Sequence, residues 1–305
     1  MLEALESVPG STAPLLWTDY VELRALIHPD RCFSRGDLSG LERRMRDTRG
    51  QGFAAESRWR DLINFAGVRR HEFGDSYPFA VSDDEDTLEL RNDGTPKQTT
   101  YLHLLLAALM RHIPGNRRTD LARNFEETCF AIFTKLMPDG AEIRATWANA
   151  GNNALYQGTL YQKMCQVAAD LRCTANFKER DFIRSDSGDG GIDLISWHPM
   201  ADERKGMPIS FAQCGCSKSD WRFKQLEASP AKHYHHLPVM HPWACYYFLP
   251  LDLRHPDGDW AHENDIGQAI IVDRLRLVRL ATQYALHESL PALPLLSEVS
   301  VLNYA

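Results

Sequence analysis

The spacing of apolar residues changes near residue 190, and this change constrains the fold more than any other feature of the sequence. In "LARNFEETCFAIFTKLM", residues 121–137, apolar side chains recur at helical intervals along one face. From residue 191 onward they come in short runs, "GIDLISW", "PISFAQC" and "ACYYFLPL", rich in β-branched or aromatic residues and bounded by Pro, Gly or charged residues. Such runs are typical of buried strands. The chain therefore combines long helices with a small sheet.

The order of these patterns predicts an α/β (α+β) fold in two parts. Residues 1–115 form a helical N-terminal region, interrupted by a turn-rich stretch at 75–98 that holds at most a short strand at "TLEL". Residues 116–305 form a domain whose central mixed sheet is flanked by helices, and "DRLRLVRLATQYAL" is its C-terminal helix. A further helix is expected over "SDWRFKQLEA", between the second and third apolar runs.

Composition and termini bound the class of protein. The 305 residues are 44% hydrophobic and 25% charged, which is an ordinary globular mixture. The N-terminus is acidic where a secretion signal is basic, and no apolar run approaches the roughly 18 residues of a membrane helix. The seven cysteines lack the regular spacing of a disulfide framework. We expect a cytoplasmic protein with reduced thiols and no membrane contact.

The net charge of −7 does not decide whether nucleic acid is a partner. Arginines cluster locally, and a local positive surface can bind a phosphate backbone even when the whole molecule is acidic. "GNRRTDLARNF" supplies Arg117, Arg118 and Arg123 as candidate phosphate contacts, and Lys224 is a fourth. The alternative is that these side chains cover ordinary solvated helix faces.

The stretch "SGDGGIDLISWHPMADERKGMPISFAQCGCSKSDW", residues 187–221, places polar residues at the ends of two neighbouring strands. Asp193 lies in the first apolar run, and Gln213 ends the second. A buried aspartate is unfavourable without a partner, and hard divalent cations prefer oxygen ligands held on rigid elements. A glutamate from the preceding helix can add a third oxygen. The spacing therefore predicts a site for a metal such as Mg²⁺.

The motifs of this region resemble those of the PD-(D/E)XK nuclease superfamily, in particular its Mrr-like restriction and defence branch. The resemblance is carried by "NFEETCF", "GDGGIDLI" and "ISFAQCG", and it covers roughly residues 118 to 250. The segment "QCGCSKSDWRFK" is also similar to one in uncharacterised defence-associated proteins of this kind. The resemblance implies a restriction-endonuclease-like domain, and it says nothing about the N-terminal region.

Carried over residue by residue, the resemblance assigns roles to individual side chains. Asp193 would be the metal-ligating aspartate, Gln213 would replace the second acidic ligand, and Glu126 or Glu127 would be the helix carboxylate. The implied activity is endonucleolytic hydrolysis of phosphodiester bonds, with DNA as the favoured target and Mg²⁺, or Mn²⁺ in its place, as cofactor. A role in restriction or anti-phage defence, a defence-system partner protein and a homodimer are further implications.

The sequence departs from the family pattern at the position of the expected lysine, two residues after Gln213, where Gly215 stands. A lysine there helps to position the attacking water or stabilises charge on the phosphate. Lys218 is the nearest substitute and is predicted to be catalytic, ahead of Lys224 further along the expected helix.

Three other interpretations were weighed against the nuclease. Gly215 favours a nuclease-like module that has lost catalysis and binds nucleic acid or a protein. Cysteine and histidine residues could also form a zinc site, but their spacing fits no standard zinc motif. The candidate ligands are Cys214, Cys216, His233, His235, His236, His241 and Cys245. An EF-hand is excluded, because the twelfth position counted from Asp186 is Trp197 and not glutamate. The sequence also lacks a Walker A motif and a G-x-S-x-G elbow.

Overall fold

The computed structural model describes residues 2, 5, 7–10, 13–49, 55–146, 155–183, 185–186 and 188–300. The helices within these ranges are α1 (Pro14–Ile27), α2 (Arg35–Arg49), α3 (Ala55–Phe73), α4 (Pro96–Ala108), α5 (Gly115–Leu136), α6 (Leu160–Asp170), α7 (Trp221–Lys224), α8 (Pro230–His233), α9 (Arg274–Gln283) and α10 (Pro294–Ser300). The strands are β1 (Cys32–Ser34), β2 (Phe79–Val81), β3 (Thr87–Leu90), β4 (Glu142–Ala145), β5 (Leu194–Trp197), β6 (Ile209–Cys214), β7 (Ala244–Phe248) and β8 (Ile270–Val272).

Contacts divide the chain into two compact units, each built from more than one segment. Unit 1 comprises Met1–Phe125, Pro250–His262 and Asp273–Ala305, and unit 2 comprises Glu126–Leu249 and Glu263–Val272. This division differs from the predicted boundary after residue 115, since α9 joins the N-terminal region. The reason is that Arg274 at the start of α9 pairs with Asp19 of α1, with both nitrogen–oxygen distances at 2.9 Å.

Unit 1 is mainly helical and contains a small antiparallel sheet of order β1-β3-β2. The predicted strand at "TLEL" is confirmed as β3, the central strand of this sheet, but the expectation that residues 75–98 hold at most this strand is wrong, because β2 lies in the same stretch and pairs with β3. The apolar faces of α1, α3 and α4 pack in its core, where Tyr20, Phe65 and Leu105 are fully buried.

Unit 2 is built on a five-stranded mixed sheet of order β4-β5-β6-β7-β8. Strands β4, β5 and β6 pair antiparallel, whereas β6, β7 and β8 run parallel. The three apolar runs that predicted buried strands form β5, β6 and β7, and every residue of β5 is buried. The prediction of a mixed α/β fold with a central mixed sheet flanked by helices is confirmed.

The two faces of this sheet are covered by different segments. On one face, Phe133 of α5 packs against Tyr246 and Phe248 of β7, with ring centroids 5.6 and 6.1 Å apart. On the other face, Phe211 of β6 packs against Trp243 at 4.5 Å. Because strand side chains alternate, successive residues of β6 therefore contact different layers.

The helix expected over "SDWRFKQLEA" is shorter than predicted, since only α7 forms. The amide of Leu226 donates to the carbonyl of Phe223, only three residues earlier. The carbonyl of Arg222 accepts a hydrogen bond from the side chain of Gln225. The chain after α7 therefore continues in turns. Among the described residues, no helix combines the length and apolar character needed to cross a bilayer.

Candidate functional site

Asp193 lies immediately before β5, on the strand next to the one that carries Gln213. Its amide donates to the carbonyl of Ala212 at 2.9 Å, and its carboxylate Oδ2 accepts the amide of Cys214 at 2.6 Å. The side chain is buried, with 3% of the residue exposed. The expectation that Asp193 and Gln213 lie on adjacent strands agrees with this pairing.

Negative charge surrounds the Asp193 carboxyl group. Burial raises its pKa well above the ordinary value for an aspartate, and Asp189 raises it further through its charge and a side-chain hydrogen bond. Glu126, the first residue of unit 2, adds to the effect, and only the amide of Cys214 opposes it. We call Glu126, Asp189 and Asp193 the acidic cluster. Asp189 and Glu126 thus disfavour the charged form of Asp193, an effect that a bound cation would oppose.

Asp189 enters the acidic cluster from a glycine-rich turn. Its carboxylate accepts the amide of Gly191 at 2.7 Å. Gly190 and Gly191 both have positive φ, of 70° and 85°, a conformation that other residues rarely adopt. Asp189 is not among the site residues predicted from the sequence. Ser187, in the same turn, lies outside the described residues.

Gln213 and Cys214 point to opposite faces of the sheet, as strand alternation requires. The Cys214 thiol meets that of Cys129 on α5. Gln213 faces the other layer, opposite Tyr247 of β7 in the parallel register. The buried oxygen Oε1 of Gln213 and the buried hydroxyl of Tyr247 both lack a hydrogen-bond partner within the described part of the chain. Buried polar atoms without partners are rare and unfavourable.

Asp193 acts on groups at both faces. Its charge contributes to the raised pKa of the Cys129 thiol, on the α5 face, and to that of the Tyr247 hydroxyl, on the other, although burial is the largest cause for each. The predicted ligands are therefore divided: Glu126 approaches on the helix α5 side, Gln213 lies on the opposite side, and Asp193 lies between them at the end of the strand. Glu127 is half-buried in α5, and among the described residues it is not one of the groups named above as acting on the Asp193 carboxyl group.

Position 215 has no room for a side chain. A Cβ atom there would lie 2.3 Å from the hydroxyl oxygen of Tyr247 and 3.0 Å from the ring carbon that carries it. The Tyr247 hydroxyl thus occupies the space that the first atom of a lysine side chain would need. The glycine is required by this close approach, and the family lysine cannot enter without movement of the Tyr247 ring.

Lys224 comes closer to the acidic cluster than the sequence suggested. The Cys216 thiol has its pKa raised by burial and by the charges of Cys129, Glu126 and Asp193, and the charge of Lys224 opposes this effect. Lys224 ends α7 and is half-buried. Lys218, the predicted catalytic lysine, lies half-buried in the segment between β6 and α7.

Two further lysines, not identified from the sequence, bind the glycine-rich turn from different sides. Lys163 of α6 is buried, and its ammonium group donates to the carbonyl of Gly188 at 3.2 Å. Lys232 of α8 is exposed, and its ammonium group donates to the carbonyl of Gly190 at 3.0 Å. Neither contact could be predicted from the sequence, because the paired residues are 25 and 42 positions apart in the chain.

The predicted arginine contacts lie in unit 1 and have partners within the protein. Arg117 pairs with Glu298 at 2.6 Å, and Arg118 donates to the carbonyl of Ile113 at 2.7 Å. Arg123 is exposed on α5. Their role in binding nucleic acid stays a prediction.

The zinc interpretation gains no support from the structure. In the part of the chain that is described, no three His, Cys, Asp or Glu residues are arranged to hold a metal ion. The Cys214 thiol is hydrogen-bonded to the Cys129 thiol on one face of the sheet. On the other face, the Cys245 thiol donates to the carbonyl of Gln225. The ring of His233 is hydrogen-bonded to the carbonyl of Glu227. These candidate zinc ligands therefore do not converge.

Comparisons of the chain with protein-family models, with curated proteins and with solved structures found no match.

Proposed function

We propose that the protein is a metal-dependent nuclease that hydrolyses phosphodiester bonds, with DNA as the favoured substrate, at the acidic cluster. The observation that carries the proposal is the buried carboxyl group of Asp193, which is opposed by Asp189 and Glu126 at the end of a central strand. A purely structural buried aspartate is normally paired with a cation or with several donors. Buried groups with strongly perturbed pKa values cluster at functional sites.

The oxygen donors near Asp193 are of the type that a hard divalent cation prefers, but no three acidic, His or Cys residues in the described part of the chain are already arranged to hold one, so binding would require the side chains to move together. Asp193 and Glu126 would hold it through carboxylate oxygens, with Asp189 beside them, and Gln213 Oε1 is a buried oxygen that has no other partner among the described residues. When bound, Mg²⁺ supplies polarisation of the scissile phosphate and orientation of a water molecule. This role for Gln213 requires its amide to reach the metal from the sheet face opposite α5.

The chain's own groups would position the substrate and balance its charge. Lys163 and Lys224 are the candidate sources of positive charge near the cluster, because Lys163 interacts with the charge of Asp189, and Lys224 acts on Cys216 together with Glu126 and Asp193. Lys218 remains the alternative from the sequence. A positive side chain in this place stabilises charge that develops on the phosphate. A role in restriction or anti-phage defence stays a prediction of the family resemblance.

A second candidate function, nucleic-acid binding without cleavage, is favoured by the contact at position 215. The Tyr247 hydroxyl lies where a lysine at 215 would begin, so the strand itself cannot deliver an ammonium group to the site. A module of this kind would retain the surface that binds nucleic acid and lack turnover.

Hydrolysis assays separate the two functions. Wild-type protein is incubated with single-stranded and duplex DNA and RNA in Mg²⁺ or Mn²⁺, beside Asp193→Asn and Glu126→Gln. The nuclease proposal expects cleavage that falls at least about a hundredfold in Asp193→Asn, by analogy with the loss of one transition-state-stabilising group. Lys224→Met should lose more activity than Lys218→Met if Lys224 supplies the positive charge. Equal cleavage by wild type and Asp193→Asn would show that the acidic cluster is not the active site.

The close contact at position 215 makes a sharper test than substitution by lysine alone. Gly215→Lys in the wild-type background should destabilise the fold by about 1–3 kcal/mol through overpacking against Tyr247. The double variant Gly215→Lys with Tyr247→Ala removes the ring and opens the space. If wild type does not cleave and the folded double variant does, the natural protein is the non-catalytic module.

A further inference from the structure

Four aromatic rings form a partly exposed cluster beside the proposed site. Tyr161, Phe177 and Phe182 pack against one another with ring centroids 5.3 to 6.0 Å apart, and His236 lies 6.3 Å from Phe177. None of the four is fully buried. We call these residues the aromatic cluster. Rings that stay accessible in this way offer their faces to a planar ligand.

The aromatic cluster and the glycine-rich turn are held by the same two segments. The residue before Tyr161, Leu160, donates its amide to the carbonyl of Asp186 at 2.7 Å. Four residues before His236, Lys232 donates to the carbonyl of Gly190 at 3.0 Å. The turn carries Asp189 into the acidic cluster. A polymer whose phosphate lies at the acidic cluster would therefore have its neighbouring groups near the aromatic cluster.

The surroundings of the rings are suited to a nucleic-acid base. His236 lies at the edge of the cluster beside Phe177 and is half-buried. Lys232 and Lys178 are exposed. The carboxylate of Asp181 in the same segment already accepts the amide of Lys178 at 2.8 Å. Aromatic faces beside exposed cations are the usual means of binding single strands, because every base has a π-face and every linkage carries a phosphate.

We propose that the aromatic cluster stacks an unpaired base of the nucleic acid bound at the acidic cluster, so that the substrate is single-stranded or locally unpaired. This inference rests on the proposed function for the position of the phosphate. A base inside a duplex is already stacked on its neighbours and cannot present its face to a side chain. The protein should therefore prefer single-stranded to duplex DNA.

The test measures binding and does not require turnover. A 12-nucleotide single strand with 2-aminopurine at successive positions is titrated with full-length protein in metal-free buffer, using Asp193→Asn to prevent cleavage by traces of metal. Stacking on an aromatic ring should quench the fluorescence at one or two adjacent positions. Phe177→Leu and Phe182→Leu keep the apolar packing and remove the π-face, so each should weaken binding roughly tenfold and reduce the quenching.

Controls separate stacking from general effects. Phe223→Leu removes a ring that is 79% exposed elsewhere in unit 2 and should not change the affinity. Lys232→Gln, an exposed substitution that should leave folding intact, should lower the affinity and decrease the salt dependence by about the contribution of one phosphate contact. Lys205→Gln, which is exposed elsewhere in unit 2, should leave both unchanged.

The outcomes distinguish failure of this inference from failure of the proposed function. Equal affinity and quenching in wild type and the folded phenylalanine variants overturn the inference, as does tighter binding of duplex than of single strand. If the phenylalanine variants do not fold, unchanged affinity and salt dependence in Lys232→Gln overturn it instead. Binding that needs the aromatic cluster, with no hydrolysis of any nucleic acid in Mg²⁺ or Mn²⁺, supports the inference and counts against the nuclease. Cleavage that depends on Asp193 but not on Phe182 supports the nuclease and counts against the inference.

Discussion

In unit 1 the buried carboxylates face guanidinium groups, whereas in unit 2 the buried carboxyl group of Asp193 faces further carboxylates. Arg69 is 1% exposed and binds Asp19, Glu22 and Asp252 at 2.7, 2.8 and 2.9 Å. Asp193 is 3% exposed, and its strongest charged neighbour is Asp189. Equal burial therefore comes with opposite electrostatic environments.

The network in unit 1 satisfies nearly all of its polar atoms. Glu22 accepts from the hydroxyl groups of Tyr77 and Tyr101 at 2.7 and 2.8 Å, in addition to Arg69. Arg274 binds Asp19 through two nitrogen–oxygen contacts of 2.9 Å. Such a network specifies how helices α1, α3, α4 and α9 pack, and among its described side chains Asp252 Oδ1 is the buried polar atom without a hydrogen-bond partner. We interpret it as structural.

The comparison shows that buried carboxyl groups of one protein can have neighbours of opposite charge. A carboxylate that is paired in the folded protein stabilises a particular packing, whereas buried carboxyl groups that oppose one another remain unfavourable until a cation arrives. Burial alone therefore does not distinguish the network of unit 1 from the acidic cluster of unit 2, whereas the sign of the neighbouring charges does.

The largest effect on stability is expected at Arg69. Arg69→Met removes a shared partner of three buried carboxylates, and although Asp19 keeps Arg274 and Glu22 keeps two tyrosine hydroxyl groups, the loss should lower the free energy of unfolding by about 3–5 kcal/mol. Urea denaturation followed by circular dichroism measures the change. Arg91→Met is the matched control, because the pair of Arg91 with Glu89 is exposed and should contribute less than about 1 kcal/mol. A loss at Arg69 no greater than that at Arg91 would contradict the interpretation of the network as structural.

A pH-dependent effect of intermediate size is expected at Asp252. Burial, together with the charges of Asp273 and Asp19, raises its pKa to about 6, although Arg69 and Arg274 oppose this. The folded protein therefore keeps a proton that the unfolded chain releases near pH 4, so the stabilisation from this group is complete below pH 4 and is lost as the pH rises to about 6.

Asp252→Asn removes this titration. Between pH 4 and pH 7 the stability of the variant relative to wild type should rise by about 2–3 kcal/mol. Urea denaturation of both proteins at half-unit pH intervals provides the measurement. A stability difference that does not vary with pH would show that the pKa of Asp252 is the same in the folded and unfolded chains, which contradicts the raised pKa.

The smallest effect on stability is expected at Asp193, although it is as buried as Arg69. Asp193→Asn retains an oxygen that can accept the amide of Cys214 and removes a carboxylate that its neighbours oppose. The free energy of unfolding at pH 8 in metal-free buffer should not fall and should rise by on the order of 1 kcal/mol. A loss of several kcal/mol would place Asp193 with the structural network and weaken its assignment to a functional site.

The sequence alone was sufficient for the elements of unit 2 that depend on local pattern. The apolar runs identified β5, β6 and β7, and helical spacing identified α5, because side chains in contact with a core repeat with the period of their own element. The sequence also predicted that β5, which follows Asp193, and β6, which carries Gln213, are neighbours in the sheet, since consecutive strands usually lie side by side. Strand β4 has only four residues, none of them buried, and so lacked an apolar signal.

Only the tertiary structure decided which distant residues meet. It brought Lys163 and Lys232 to the glycine-rich turn, Asp189 to Asp193, and the Tyr247 hydroxyl to Gly215. It also grouped α9 with the N-terminal region, through the pairing of Arg274 with Asp19 across 255 residues. Periodicity reports whether a side chain faces the core, but the identity of its neighbour depends on how whole elements pack, and that information is spread over the entire chain.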